Sequence, residues 1–310
     1  MTLRVFVDGG AGTTGIEILD RLGDRDDISL VTLPDAHRKD PAARADALAS
    51  ADIAILCLPD EAAREAVALA ADWPVRFIDA STAHRTDPAW TYGFAELEPG
   101  RREELAAARF VSNPGCYPTG FLALVRPLVR AGLLAPEALL AVNAVSGYSG
   151  GGKAMIAEFE EGRAETAFRP YGLTLAHKHL PEMRVHAGLA HAPIFAPAVA
   201  RAYRGMIVEA PLHLAQLAPG ATVAQVREAI GDAYAGSPLV ALAPADDRAA
   251  LTLEQCAGGD RLDLFVFANE ATGQLRLVAA LDNLGKGASG AAVQNLNLMA
   301  ALPETRGLRL

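Results

Sequence analysis

Strand-like and helix-like patterns of apolar residues alternate from the start of the chain. Short apolar runs at 3–8, 28–33, 52–59 and 75–81 predict strands, because they are rich in β-branched and aromatic residues and end at turn-forming residues. The segment TGIEILDRL, at 14–22, spaces its apolar positions as a helix does. Strands alternating with helices predict an α/β fold with a Rossmann-type doubly wound parallel sheet.

The pattern changes after about residue 112. The segment LDLFVFANEATGQLRLVAALDN predicts a hairpin whose turn lies near 269–273, and the tail KGASGAAVQNLNLMAAL predicts an amphipathic helix. We therefore predict a cofactor domain of residues 1–115 plus a C-terminal helix at about 284–310. A second, α+β domain of residues 116–283 would carry a mixed or antiparallel sheet, whose exposed face would suit a homodimer or homotetramer.

Composition is typical of a soluble globular protein, with 51% hydrophobic and 21% charged residues. No apolar run approaches the ~20 residues of a membrane span, and the first residues lack a signal-peptide layout, so we expect a cytoplasmic protein. A net charge of −9 with scattered basic residues argues against nucleic-acid binding. The three cysteines lack CxxC spacing and the two histidines of HKH lack a third ligand nearby, so no metal is expected.

A glycine-rich turn lies between the first predicted strand and helix. Gly10, Gly12 and Gly15, with Thr13 and Thr14, form the pattern GxGxxG. Glycines there permit a tight turn and a close approach of the backbone to a pyrophosphate, which then lies over the helix N-terminus. The sequence therefore predicts a dinucleotide cofactor.

The end of the second predicted strand bears on which dinucleotide binds. NAD-specific folds place an acid there, roughly 20 residues beyond the glycines, to bind the ribose 2′-hydroxyl. This chain has Asp35 but continues into His37-Arg38-Lys39. We predict that Arg38 binds a 2′-phosphate and that the cofactor is NADP(H); Asp35 argues for NAD, and Arg38 and Lys39 could instead be a solvated surface pair.

Cys116 lies in the turn SNPGCYPTG, immediately before a predicted helix. The positive end of a helix favours the nucleophilic thiolate, and the surrounding prolines and glycines indicate a rigid loop. We predict that Cys116 is a catalytic nucleophile. Cys57, within a predicted strand, is predicted to be a core residue.

His177 and His179, in HKHLPEM, are candidates for proton transfer near neutral pH. In an extended segment they would point to the same side, so their spacing does not choose between them. Glu182 would orient whichever histidine acts.

The motifs GGAGTTG, IDASTAHR, SNPGCYPTG, SGYSGGGK, HKHLPEM and DNLGKGASGAAVQNLNLM occur in this order over residues 4 to about 300. Together they resemble the N-acetyl-gamma-glutamyl-phosphate reductase family, in its shorter branch, with aspartate-semialdehyde dehydrogenase as a more distant relative. The resemblance implies that Cys116 attacks an acyl phosphate to give a thioester, which hydride from NADPH converts to an aldehyde. It also places one histidine against the thiol, and we select His177 first.

The remaining site residues are assigned partly from their own chemistry and partly through the same resemblance. Arg85 would contact the departing phosphate, and Ser149 with Lys153 would bind substrate oxygens in a glycine-rich turn. The cysteine loop would add Asn113 to the substrate contacts. Cofactor contacts would further include Ser81, Asn283 and Gly287.

Two alternative functions compete with this one. Aspartate-semialdehyde dehydrogenase shares the fold and the cysteine, but GYSGGGK and HKHLPEM match it less well. A regulatory protein that binds NADP without turnover would need no nucleophile, which Cys116 opposes. The sequence leaves open whether an N-acetylglutamyl, N-acetylaminoadipyl or carrier-linked acyl phosphate is the substrate.

Overall fold

The computed structural model describes residues 2–244 and 248–310, although only the backbone of Asp35. The described chain divides into two compact units. The first contains the residues up to Ala95, Gly100–Pro114 and Ala288–Leu308. The second contains Glu96–Pro99, Gly115–Gly287 and the last two residues.

The first unit is built on a six-stranded sheet in which every pair of neighbouring strands is parallel. Its strands are β1 (Leu3–Asp8), β2 (Ile28–Val31), β3 (Ile53–Leu56), β4 (Arg76–Asp79), β5 (Thr91–Tyr92) and β6 (Phe110–Ser112). The spatial order is β2-β1-β3-β4-β6-β5. This arrangement confirms the predicted Rossmann-type fold.

The second unit contains a seven-stranded mixed sheet with the order β11-β12-β13-β10-β7-β9-β8. Its strands are β7 (Ala141–Gly147), β8 (Phe168–Pro170), β9 (Ile194–Ala200), β10 (Met206–His213), β11 (Val240–Leu242), β12 (Leu262–Asn269) and β13 (Gln274–Leu281). The predicted hairpin is the antiparallel pair β12–β13, which begins with Leu262 opposite Leu281. The predicted α+β character of this half is confirmed.

Helices follow the strands in both units. They are α1 (Thr13–Leu22), α2 (Pro41–Ser50), α3 (Asp60–Leu69), α4 (Arg101–Ala107), α5 (Cys116–Arg130), α6 (Gly152–Glu160), α7 (Leu180–Ala187), α8 (Val223–Ala233) and α9 (Gly290–Met299). None of these helices, in the part of the chain that the structure describes, is long and apolar enough to cross a membrane.

Alternation of side chains along the buried strands gives the first unit two apolar layers. Ile53 and Ile55 of β3 pack in the layer that contains α1 and α9. Ala54 and Leu56 of the same strand pack in the layer that contains α2 and α3. The carboxyl ends of the parallel strands therefore emerge between two helical layers, which is where such sheets bind ligands.

In the second unit, α5 lies close against the mixed sheet. Most of its residues are buried, and a Cβ atom at Gly120 would lie 2.8 Å from Cγ2 of Val208 in β10. A glycine at this position lets the helix approach the strand closely. The buried body of α5 fixes the direction of its N-terminus, where Cys116 is the first helical residue.

Candidate active site

The glycine-rich turn between β1 and α1 has room for backbone only. Gly9 has φ +82°, and a Cβ atom there would lie 2.3 Å from the carbonyl oxygen of Cys57. A Cβ atom at Gly15 would lie 2.6 Å from the carbonyl oxygen of Gly9. Helix α1 begins after Gly12 without a side-chain cap, which leaves the N–H groups of its first turn to other partners.

A cavity of about 740 Å³ opens beside this turn, within the first unit. Gly10 and Gly12 line it, and so do the cationic residues Arg38, Lys39 and Arg44. Thr13 and Thr14 are the first two residues of α1, and the buried hydroxyl of Thr13 has no hydrogen-bond partner within the described residues. The glycine cradle, the unpaired hydroxyl and the cations together fit a dinucleotide with anionic groups.

The loop after β4 is held by a buried carboxylate. Asp79 accepts hydrogen bonds from the Ser81 hydroxyl at 2.7 Å and from the Ser81 N–H at 2.9 Å. Nδ1 of His84 lies 2.7 Å from the same carboxylate, and the His84 ring stacks on Trp90 with centroids 4.1 Å apart. Ser81, predicted to contact the cofactor, therefore helps to stabilise this loop through its hydrogen bonds to Asp79.

Arg85 lies in that loop and is buried in the first unit. Its Nε donates to the Asn113 carbonyl at 2.9 Å, and its Nη2 donates to the Ala80 carbonyl at 3.0 Å. The Asn113 side chain donates to the Ala288 carbonyl at 2.9 Å and accepts from Nδ2 of Asn295 at 3.1 Å. Arg85 and Asn113 thus lie together, and the amide of Asn113 orders the chain around the start of α9.

Cys116 is partly exposed at the N-terminus of α5, in the second unit. The preceding Gly115 donates its N–H to the carboxylate of Glu182 at 2.8 Å, and its carbonyl accepts from the Thr119 hydroxyl at 2.9 Å. Glu182 is buried in α7. The carboxylate predicted to orient a histidine therefore holds the loop that carries the thiol, and its role toward the histidines stays a prediction.

The other two thiols have different surroundings. Burial raises the pKa of the Cys57 thiol to about 12, and the charges of Asp79 and Asp8 add to the effect. Burial likewise raises the pKa of Cys256 to about 12, with Asp263 contributing. Both thiols are therefore protonated at neutral pH, which makes them poor nucleophiles.

The imidazole rings of His177 and His179 lie together, with centroids 4.8 Å apart. Both approach the ring of Tyr117, the residue after Cys116, at 6.2 and 6.0 Å. The segment is not extended as predicted: His179 has helical φ and ψ, precedes α7 and donates its N–H to Nδ1 of His177 at 3.2 Å. A turn brings the two rings together. Burial, with the charge of Lys178, lowers the pKa of His177.

A chain of hydroxyl groups lies beside the histidines and was not predicted. The Tyr171 hydroxyl donates to the Tyr117 hydroxyl at 2.9 Å, and Tyr117 donates to the Ser146 hydroxyl at 3.0 Å. Burial raises the pKa of Tyr117 well above its usual value and that of Tyr171 to about 12, so both keep their protons. The only sequence feature that could have indicated this chain of hydroxyl groups is the tyrosine directly after the cysteine.

The second unit also contains the predicted glycine-rich turn. Asn283 donates to the Ser149 hydroxyl at 2.9 Å and accepts the Gly205 N–H at 3.0 Å, so its amide holds this turn. Lys153, in the first turn of α6, is exposed. A Cβ atom at Gly287 would lie 2.8 Å from the Cβ atom of Cys116, so the backbone of Gly287 packs directly against the cysteine.

A buried ion pair precedes Gly287 and was missed at the sequence level. Nζ of Lys286 lies 2.9 and 2.8 Å from the two carboxylate oxygens of Glu96, and both residues are buried. Lysine is rarely buried unless it is paired. Its partner is 190 residues away in the chain, so spacing gave no signal.

Potential metal ligands do not cluster in residues 2–244 and 248–310: no group of three His, Cys, Asp or Glu side chains could hold an ion.

Comparison with known proteins identifies the family. The model of the semialdehyde dehydrogenase NAD binding domain matches residues 4–108, and that of the semialdehyde dehydrogenase dimerisation domain matches residues 116–283. N-acetyl-gamma-glutamyl-phosphate reductase of Brucella anthropi is 53% identical over 308 residues, covering 96% of this chain and 99% of that protein. The chain belongs to the N-acetyl-gamma-glutamyl-phosphate reductase family. Like its relatives, it is an oxidoreductase.

A second reductase of the family is similar to the chain, and solved structures share its fold. The N-acetyl-gamma-glutamyl-phosphate reductase of Brucella ovis is 52% identical over 96% of this chain and 99% of its own length. Aspartate semialdehyde dehydrogenase II from Vibrio cholerae, solved in complex with ASA, has a TM-score of 0.74 at 17% identity, covering 97% of this chain and 99% of that one. The Francisella tularensis aspartate semialdehyde dehydrogenase has a TM-score of 0.72 at 15% identity, covering 96% and 100%. At these identities the solved structures show the shared fold.

Selective alkylation will test the contrast among the three thiols of this family member. At pH 8 a thiol of pKa about 12 is ionised in roughly one molecule in ten thousand. We therefore expect iodoacetamide to modify Cys116 in the folded protein well before Cys57 or Cys256, as measured by peptide mass mapping over time. Equal rates at all three positions would contradict this assignment.

The close approach of Gly287 to Cys116 gives a second prediction. In Gly287→Ala the new methyl group would displace the cysteine, and a displacement of about 1 Å can lower kcat by up to ~100-fold. Gly231→Ala is the matched control, because a Cβ atom there meets only a side-chain atom of Leu242 at 3.7 Å. Steady-state kinetics and circular dichroism of both variants provide the measurement; unchanged kcat in Gly287→Ala would show that this contact does not position the thiol.

Proposed function

We propose that this protein catalyses the NADPH-dependent reduction of N-acetyl-gamma-glutamyl phosphate to N-acetylglutamate 5-semialdehyde and phosphate, a step of arginine biosynthesis. The observation that carries the proposal is the partly exposed Cys116 at the start of α5, in a chain 53% identical to the Brucella anthropi reductase. Two contacts support it: the Gly115 N–H donates to Glu182, and the rings of His177 and His179 lie 6.2 and 6.0 Å from the ring of Tyr117, the residue after Cys116.

The proposed chemistry divides the reduction into two steps. The Cys116 sulfur attacks the acyl carbon, and the bond from that carbon to the phosphate oxygen breaks. Inorganic phosphate departs, and the acyl group stays bound to Cys116 as a thioester. NADPH, when bound, supplies the hydride that reduces the thioester carbonyl. The resulting thiohemiacetal on Cys116 collapses to the aldehyde and releases the thiol.

Proton transfer is proposed for the histidine pair. A neutral imidazole can take the thiol proton, and an imidazolium can give a proton to the thiohemiacetal oxygen. The lowered pKa of His177 keeps it neutral near pH 7, which supports it as the first candidate. His179, buried and fixed at the start of the helix that carries Glu182, is the alternative.

Anion binding is proposed for Arg85 and for the turn that ends in Lys153. Arg85 would contact the departing phosphate, since its guanidinium is held by two carbonyl groups in a fixed orientation. Ser149 and Lys153 would bind substrate oxygens, and Asn113, in the loop before the cysteine, would be a further substrate contact.

The cofactor assignment is part of the same proposal. Gly10, Gly12 and Gly15, with Thr13 and Thr14, would hold the pyrophosphate, and Arg38 in the cavity wall supports NADP(H) over NAD(H). Ser81, Asn283 and Gly287 remain proposed cofactor contacts on the resemblance alone. We also propose a cytoplasmic homodimer or homotetramer, supported by the match of residues 116–283 to a dimerisation domain.

Activity in the reverse direction tests this function against its rivals. A phosphate-dependent reduction of NADP by N-acetylglutamate 5-semialdehyde would support it. Preference for aspartate semialdehyde or for an N-acetylaminoadipyl analogue would reassign the substrate. Cofactor binding without turnover of any semialdehyde would favour a sensing protein.

Removal of the nucleophile gives the first functional prediction. We expect Cys116→Ala to abolish turnover while the Kd for NADP stays nearly unchanged, because the thiol performs chemistry and does not bind the cofactor. Cys116→Ser should be nearly inactive as well, since a hydroxyl is far less ionised. Kinetics combined with calorimetric titration of NADP measure both quantities, and substantial turnover in either variant would exclude a thioester route.

The two histidines are separated by their pH profiles. Loss of the proton carrier should lower kcat by roughly 10²–10⁴ and remove one limb of the profile, whereas loss of a substrate contact should mainly raise KM. We expect His177→Asn to show the first result and His179→Asn the second. The reverse outcome would assign proton transfer to His179, and two intact limbs would place it on another group.

A further inference from the structure

Arg44 lies in the wall of the cofactor cavity and has no assigned role. It belongs to α2, whose start is fixed by the side chain of Asp40, which accepts the N–H groups of Ala42 and Ala43, and by Pro41 at the first helical position. Arg44 lies one turn further, and its N–H donates to the Asp40 carbonyl at 3.0 Å. The capped helix therefore sets the position from which the Arg44 side chain reaches the cavity.

The guanidinium of Arg44 is anchored by Asp8, the last residue of β1. Nε and Nη2 donate to one carboxylate oxygen of Asp8, at 3.0 and 2.8 Å. The side chain of Asp8 is 4% exposed and that of Arg44 is 15% exposed. Two of the five N–H groups of Arg44 bind this oxygen, so three are left for other acceptors. A guanidinium held in this way loses little conformational freedom when it binds an anion.

The charge balance of the wall favours a ligand with additional negative charge. The described residues that line the cavity include three cations, Arg38, Lys39 and Arg44, and one acid, Asp8. Asp8 is already bound to Arg44, so it is not placed as the free acid that would accept a ribose 2′-hydroxyl. Arg38 and Lys39 are exposed, whereas Arg44 is half-buried, where a charge is less screened by water.

We propose that Arg44, held by Asp8, is a second guanidinium for the 2′-phosphate of NADP(H) and acts with Arg38 to select it over NAD(H). This inference rests on the proposed function, which supplies the cofactor class. Arg44 is then a specificity-determining residue, and Asp8 positions it. The alternative is that the Arg44–Asp8 pair only joins α2 to β1, in which case it would not discriminate between NADP(H) and NAD(H).

The test is direct binding of two cofactor fragments, adenosine 2′,5′-bisphosphate and 5′-AMP, measured by calorimetric titration. We expect Arg44→Met to weaken binding of the bisphosphate by about tenfold to a hundredfold, as for a lost charge-assisted hydrogen bond, and binding of AMP less than twofold. Arg4→Met is the matched control, because Arg4 also binds a carboxylate of the first unit, that of Asp52 at 2.8 Å, but does not line the cavity.

Each outcome has one meaning. Equal weakening of both fragments, or unchanged binding of both, would overturn the role of Arg44. If Arg44→Met does not fold, Arg44→Lys takes its place, because lysine keeps the charge but lacks the planar guanidinium. A ratio of bisphosphate affinity to AMP affinity in Arg44→Lys at least threefold below that of wild type supports the proposal. An unchanged ratio overturns it. Failure of wild type to prefer the bisphosphate would instead reject NADP(H) in the proposed function.

Discussion

The hydrogen bond from the Gly115 N–H to the buried carboxylate of Glu182 is the interaction on which the arrangement of the candidate active site depends. It joins the residue before Cys116 to α7, which begins directly after the two histidines. This contact therefore ties the N-terminus of α5, where Cys116 lies, to the helix that follows the two histidines. Gly287 completes the arrangement, because the absence of a side chain lets its backbone pack against the cysteine.

Buried charges appear in this protein where loops must keep one conformation. Asp79 holds the loop that contains Arg85, Asp8 holds Arg44, and Glu96 holds Lys286 beside Gly287. Each carboxylate is nearly inaccessible to water and accepts at least two hydrogen bonds, which offsets the cost of removing its charge from water. Loss of one partner would leave a buried charge unpaired, so these pairs favour a single loop geometry over flexibility.

The nucleotide turn shows a related steric constraint. Gly9 and Gly15 leave no space for a Cβ atom, so the backbone of this turn is tightly packed before any ligand binds. Among the described residues, the buried Thr13 hydroxyl has no hydrogen-bond partner and the start of α1 has no side-chain cap. A site built in this way needs little rearrangement to receive an anionic group.

Local sequence patterns determined strands β1 to β4 and helix α1 of the first unit, the β12–β13 hairpin, the glycine turn and the position of Cys116 at a helix start. These features depend on neighbouring residues, through apolar spacing, turn chemistry and helix ends, so a single chain is enough to read them. Strand alternation predicted that His177 and His179 point to the same side. Their rings do lie together, but a turn before α7 brings them there, because His179 has helical and not extended backbone angles. Only the tertiary structure brought Glu182 to Gly115, Lys286 to Glu96 and Arg44 to Asp8, since these partners are far apart in sequence and meet only when separate elements pack.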